Sequence, residues 1–145
     1  MQLRKPESCQ GCPALKFGDH WVPDEYVEGS EVLVLGQNPG LNEELGRKLH
    51  DESGRSWDDV IPAPYLGKTG RVMETRFFPL AGLERGSVSL ANPIRCRWHG
   101  MDRLPEVTTS VVRQAMEHCQ RAHFRPPKST RLIVAEGEHA LYATT

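Results

Sequence analysis

The chain has 145 residues, with 18 Lys and Arg against 19 Asp and Glu, a formal net charge of -1 and 38% hydrophobic residues. That size suits one hydrophobic core, and the near-neutral charge excludes a uniformly basic nucleic-acid coat. No apolar run approaches the ~18 residues needed to cross a bilayer, so no membrane span is expected. The segment Met1–Glu7 has no apolar stretch behind its positive charges. No secretory signal is read there, and a reducing, cytoplasmic setting is expected.

The first chemistry-bearing feature is Cys9-x-x-Cys12, flanked by Pro6 and Pro13, with Cys96 and Cys119 much later. A thioredoxin-like redox pair normally opens a helix after a strand, and nothing strand-like precedes Cys9. Two local and two remote thiolates can close a four-sulfur site, which suits zinc or an iron–sulfur cluster because thiolates are soft, anionic ligands. Spacing leaves those two metals open. Four unconnected thiols is the competing reading, since Cys is also a common small core residue.

Glu31–Leu35 is a short apolar run ending at Gly36, which predicts a buried parallel strand feeding a tight turn. Leu41 to Pro64 mixes charges, Gly54, Pro62 and Pro64, and predicts a long surface excursion with a helical turn near Glu43 to Lys48. From Gly70, the residues Met73, Phe77 and Leu80 recur at helical spacing as far as Gly82, with Pro79 expected to kink or end the helix. Ser87–Ala91 predicts a second strand, leaving Asn92-Pro93 at its carboxyl end. Val107, Val111, Val112, Ala115, Met116 and Cys119 trace one face of a five-turn helix, closed by Pro126-Pro127. A third strand, Arg131–Ala135, ends before Gly137. Strands separated by helix-sized intervals imply right-handed crossovers, hence an α/β three-layer sandwich around a mainly parallel sheet.

Gly36-Gln37-Asn38-Pro39-Gly40 follows the first strand but lacks the Lys-Ser/Thr of a phosphate-binding P-loop. This G-Q-N-P-G turn resembles the first catalytic motif of the uracil-DNA glycosylase superfamily. Pro64-Tyr65-Leu66-Gly67-Lys68-Thr69-Gly70 resembles the P-F-V-G-K-A-G segment of its iron–sulfur branch, family 4. Leu90-Ala91-Asn92-Pro93-Ile94-Arg95-Cys96-Arg97 is similar to that branch's strand-end sequence, and the four cysteines match its cluster ligands in order.

The resemblance covers nearly the whole chain and implies one glycosylase-like domain over 1–145, with an N-terminal cysteine arm over 1–30 and an inserted loop over 46–63. It implies that Asn38 holds the attacking water, that Tyr65 stacks on the flipped base and that Asn92 reads the pyrimidine edge. Gly36, Gln37, Pro39 and Gly40 would line the base pocket. Cys9, Cys12, Cys96 and Cys119 would bind a 4Fe-4S cluster, with zinc as the alternative. Lys68, Arg71, Arg95 and Arg97, clustered beside the motifs, are candidates for phosphate contacts. The partner implied is uracil-containing DNA, met by a monomer.

The family also has a His in a loop after a further strand, and the sequence stops at Thr145 just after the strand expected to precede it. His139 lies too close to that strand to take the role, and His20, His50, His99, His118 and His123 carry no motif. The expectation is therefore a domain lacking its last strand, and the alternative function is a weak or inactive glycosylase-like DNA-binding domain. Blander readings compete at single positions: Asn38 as the cap of a helix starting near Leu41, Tyr65 as a rim aromatic, and Asn92 as a turn residue.

Overall fold

The computed structural model describes residues 1–98 and 109–145. In chain order, β1 (Leu3–Arg4) pairs antiparallel with β2 (His20–Trp21), and the arm between them carries 3-10 turns at Glu7–Cys9 and Pro13–Phe17. β3 (Val32–Leu35) leads through the Gly36 turn to α1 (Leu41–Leu45), then to β4 (Arg47–Leu49) and β5 (Trp57–Asp59), an antiparallel hairpin. A helical run follows, made of α2 (Lys68–Val72), a π-helical turn (Met73–Phe77) and α3 (Phe78–Leu80). β6 (Ser89–Ala91), α4 (Thr109–His123), β7 (Leu132–Ala135) and α5 (Glu138–Thr144) complete the chain.

The central sheet has the order β6-β3-β7 and is wholly parallel, with Val34 opposite Leu90 on one side and Val134 on the other. The apolar runs dictate this arrangement, because strands covered on both faces alternate between two cores. Val34 and Leu90 pack with Met73, Phe78 and Val88 beneath the α2–α3 run. Leu33, Leu35 and Ala91 face the other way, onto Ala140 of α5, Tyr26 and Phe124. This is the expected α/β three-layer arrangement.

A third cluster joins α4 to the cysteine arm: Val112, Ala115 and Met116 meet Ala14, Phe17, Ile94 and Trp98. Val107 and His99 lie outside the described residues, so the observed helix begins at Thr109. β7 is the least covered strand of the central sheet, with Leu132, Ile133 and Val134 exposed by 55%, 39% and 41%. Among the described residues no helix is long and apolar enough to cross a membrane.

One local expectation needs correcting. The helical turn expected over Glu43 to Lys48 is α1 at Leu41–Leu45, because Gly46 takes a left-handed φ of 70° and ends it. Arg47 and Lys48 then belong to β4. The stretch expected as an inserted loop is built around the β4–β5 hairpin, with Arg47 stacked 5.0 Å from the Trp57 ring centroid and His50 Nε2 3.1 Å from Asp58. Pro79 lies just past the π-helical turn and the run ends one residue beyond it, at Leu80, in keeping with the expected effect of a proline there.

Candidate active site and thiol cavity

The order β6-β3-β7 carries the chain from β3 to one neighbour and then across to the other. In such open sheets ligands bind beyond the carboxyl ends of the strands, where the connections diverge. A cleft of ≈ 930 Å³ opens there, lined by Gly36, Gln37, Asn38, Pro39 and Gly40 after β3, by Asn92 after β6, by Glu136 after β7, and by Tyr65, Gly67 and Lys68 from the loop entering α2. The turn is tied to its neighbours: Gly36 N donates to Ala91 O at 2.9 Å, and Ile94 N donates to Gln37 O at 3.2 Å. A Cβ on Gly36 would lie 2.6 Å from Tyr65 Oη and 2.7 Å from Asn92 Oδ1, so only glycine lets these groups converge.

Asn38 is half-buried, and its one hydrogen bond, Nδ2 to Pro39 O, is long at 3.5 Å. It does not cap α1, whose N-cap is Gly40. Glu43 reaches back instead, its Oε2 accepting from Gly40 N at 3.1 Å while its Oε1 accepts from Leu66 N at 3.1 Å and Gly67 N at 3.0 Å. One carboxylate thus clamps the G-Q-N-P-G turn to the aromatic loop.

Tyr65 is the non-glycine residue with positive φ, 58°, among those described. Such strain persists where the surroundings over-determine it. Arg85 supplies that restraint, its Nη1 donating to Tyr65 O at 2.8 Å and its Nη2 to Pro64 O and Glu25 Oε2, both at 2.6 Å. Gly70 lies directly below, where a Cβ would stand 1.8 Å from Tyr65 O. At the other end of the side chain, Tyr65 Oη donates to Glu136 Oε2 at 2.6 Å. Burial, then this hydrogen bond, pushes the phenol well above its usual 10.0, so it keeps its proton.

Asn92 is 5% exposed, and its backbone N–H donates to Asp24 Oδ1 at 3.4 Å. Asp24 also receives Tyr26 Oη at 2.6 Å and Arg95 Nε at 2.8 Å, and Arg95 Nη2 stands 2.7 Å away as the charged partner of the same carboxylate. Arg95 is therefore a buried structural cation, not a phosphate contact. Burial alone disfavours its charge, but Asp24 and then Cys119 raise its pKa above the usual value. Of the other cationic candidates, Lys68 lies exposed on the cleft rim and Arg71 stands one turn further along α2. Arg97 does not line the cleft; its Nη1 is 3.7 Å from the buried Glu44 Oε1.

The four cysteines line a second, small cavity of ≈ 20 Å³, together with Lys5, Ile94, Arg95, His118 and His123. All four are free thiols. Burial, followed by the Cys119 sulfur, pushes Cys9 up to about 11; burial likewise pushes Cys96 up to about 12 and raises Cys12. Donors lie by the sulfurs: Arg95 Nη1 is 3.3 Å from Cys119 Sγ, and the buried Trp98 Nε1 favours the Cys96 thiolate. Among the described residues no three His, Cys, Asp or Glu side chains are close enough to grip a single metal ion. A cluster interposes its own iron and sulfide between thiolates and accepts a wider set, so this soft, donor-lined quartet fits a cluster better than one zinc ion.

The sequence does not single out Glu43, Glu136, Asp24, Arg85 or Trp98. Glu136 alone carries a readable signal, an acid directly after an apolar strand whose neighbours' ends bear the motifs.

Fold and cleft define an α/β domain built to receive a small ligand, or one unit of a larger one, at a strand-order switch point. No family model matches the chain. It is 30% identical over 90 residues to a type-4 uracil-DNA glycosylase of Sulfurisphaera tokodaii, a match covering 62% of this chain and 34% of that protein. A type-4 uracil-DNA glycosylase of Pyrobaculum aerophilum is 30% identical over 91 residues, 63% of this chain and 38% of that one. That of Saccharolobus solfataricus is 28% identical over 89 residues, 61% and 34%. The chain is thus a relative of the type-4 uracil-DNA glycosylases, and the matched part spans about a third of their length.

Proposed function

We propose that this chain acts on DNA as a uracil-DNA glycosylase, hydrolysing the N-glycosidic bond of a flipped deoxyuridine. The observation that carries the reading is the convergence, over a single glycine, of the Tyr65 hydroxyl and the Asn92 amide beside the Gly36–Gly40 turn. Flipping a nucleotide costs a few kcal/mol, recovered by stacking and by hydrogen bonds to the base edge. Tyr65 supplies the aromatic surface, held by Arg85 and Glu136. The Asn92 amide donates to O4 and accepts from N3–H of uracil, whereas cytosine presents the opposite polarity at both positions. Breaking the bond develops positive charge on the sugar and negative charge on the base, and the neutral Asn38 orients the incoming water. Lys68 and Arg71 contact the phosphates.

Cys9, Cys12, Cys96 and Cys119 would hold a 4Fe-4S cluster, which ties the N-terminal arm to the segment after β6 and to α4. Its contribution is structural. Arg95 joins this region to the base-reading strand end, bonding Cys119 on one side and Asp24, the acceptor of the Asn92 N–H, on the other.

The test is single-turnover formation of alkali-labile abasic sites in a uracil-containing oligonucleotide by the brown, cluster-loaded chain. Asn92→Ala is expected to lose at least about 100-fold, as when a positioning contact to the reacting group is lost. A loaded chain that leaves no abasic sites in single- or double-stranded DNA would refute the reading. Equal binding of uracil-containing and normal DNA would then favour a DNA-binding domain.

A further inference from the structure

A carboxylate for the hydrolysis has to come from outside the G-Q-N-P-G turn, whose two polar side chains, Gln37 and Asn38, are both neutral. The cleft holds two candidates, Glu43 and Glu136. Glu43 is committed, since its two oxygens accept three backbone N–H groups. Glu136 has one oxygen, Oε2, engaged by Tyr65 Oη, and its Oε1 accepts no hydrogen bond from the described residues. Its backbone is fixed as well, Glu136 N donating to Leu35 O at 2.9 Å directly beside the turn. The residue therefore stands across the strand-order switch from Asn38, at the end of β7, with its orientation set by the half-buried Tyr65.

We propose that Glu136 is a catalytic residue, the proton acceptor of the hydrolysis; this deepens the glycosylase reading and rests on it. The water oxygen forms a bond to C1′ while the bond from C1′ to the base nitrogen breaks. The bonding pair leaves with the base as its anion, and the water proton passes to Glu136 Oε1. Asn38 orients the water and Glu136 takes its proton, so the two neutral residues of the turn need no base of their own. The Tyr65 hydroxyl also serves this step, because by donating to Oε2 it turns the other oxygen toward the cleft. The charged groups that share this space are Glu43, whose oxygens are occupied by three backbone N–H donors, and Lys68 on the rim.

Single-turnover rates of the loaded chain on uracil-containing DNA, measured from pH 4.5 to 8.5, test the assignment. Wild type should slow as pH falls through the carboxyl range. Glu136→Gln should lose between about 100-fold and 10,000-fold, the usual contribution of a general base, and lose that pH dependence. Glu136→Asp should restore part of the rate and the pH profile, and Tyr65→Phe, which keeps the ring, should lose about tenfold. Both should retain cooperative unfolding, so the assignment stays testable if Glu136→Gln folds poorly. Glu136→Gln within threefold of wild type, or an unchanged pH profile in it, would overturn the assignment while leaving the glycosylase reading intact. An inert wild type would remove both.

Discussion

Gly36→Ala separates a cleft shaped for a base from one that merely resembles it. The backbone at Gly36 is outside the left-handed region, so alanine strains nothing locally. The new Cβ would stand 2.6 Å from Tyr65 Oη and 2.7 Å from Asn92 Oδ1, where ordinary contact begins at 3.4 Å. One or both groups must retreat by about 0.8 Å, near the ~1 Å misplacement that costs about 100-fold in rate. Tyr65 has little room to move, held by Arg85 at its carbonyl and by Glu136 at its hydroxyl. Crowding of this kind costs about 1 to 3 kcal/mol, which for a domain of this size lowers the thermal midpoint by about 3 to 10 °C. The expected outcome is a cooperatively folded protein with about 1% of the wild-type single-turnover rate. Gly86→Ala, where a Cβ meets nothing within 4 Å, serves as the control and should match wild type. A Gly36→Ala protein within threefold of wild type would refute the claim that these two groups act from this spot.

Further outcomes follow from the buried groups. Arg95→Met leaves Asp24 buried without its cation and should cost about 3 to 5 kcal/mol in urea unfolding, most of it recovered by Asp24→Asn in the same chain. Gly70→Ala drives a Cβ to 1.8 Å from Tyr65 O and should cost at least the ~3 kcal/mol top of ordinary overpacking, read as a lowered urea midpoint. With the thiols metal-free, Cys9 and Cys96 ionise near 9.0 when unfolded but near 11 and 12 when folded, so the apo chain should lose stability as pH rises from about 9 toward 12. Cluster uptake must expel those protons, so reconstitution from iron and sulfide, followed by visible absorbance, should go further as pH rises.

The strands legible in the sequence are those that carry a mainly apolar run. Glu31–Leu35 and Ser87–Ala91 announce β3 and β6 because Leu33, Leu35 and Leu90 are fully buried between two helical layers. The β4–β5 hairpin is illegible for the opposite reason. Trp57, Asp58 and Asp59 are all exposed, and their strand is held by backbone pairing, the His50–Asp58 contact and a cation stacked on Trp57, none of which leaves an apolar period. At the cleft, Asn38, Tyr65 and Asn92 are readable because each stands in a local pattern. Glu43 and Glu136 act through partners 23 and 71 residues away, and a lone acid carries no mark of such a contact. Arg97 Nη1 lies 3.7 Å from the buried Glu44, a pairing that a charge count cannot see.

The thin cover over β7 has a consequence for its amides. In a parallel strand alternate N–H groups point to opposite sides, and those of Leu132 and Glu136 are bonded to Glu31 and Leu35 of the β3 side. The N–H groups of Ile133 and Ala135 therefore face away, where no strand flanks β7 among the described residues. Deuterium should enter at these two positions well before Val134, in a sawtooth along a single strand. The same row of bare donors offers a ready template for another extended chain, so concentrated solutions should gain β-structure first at this edge.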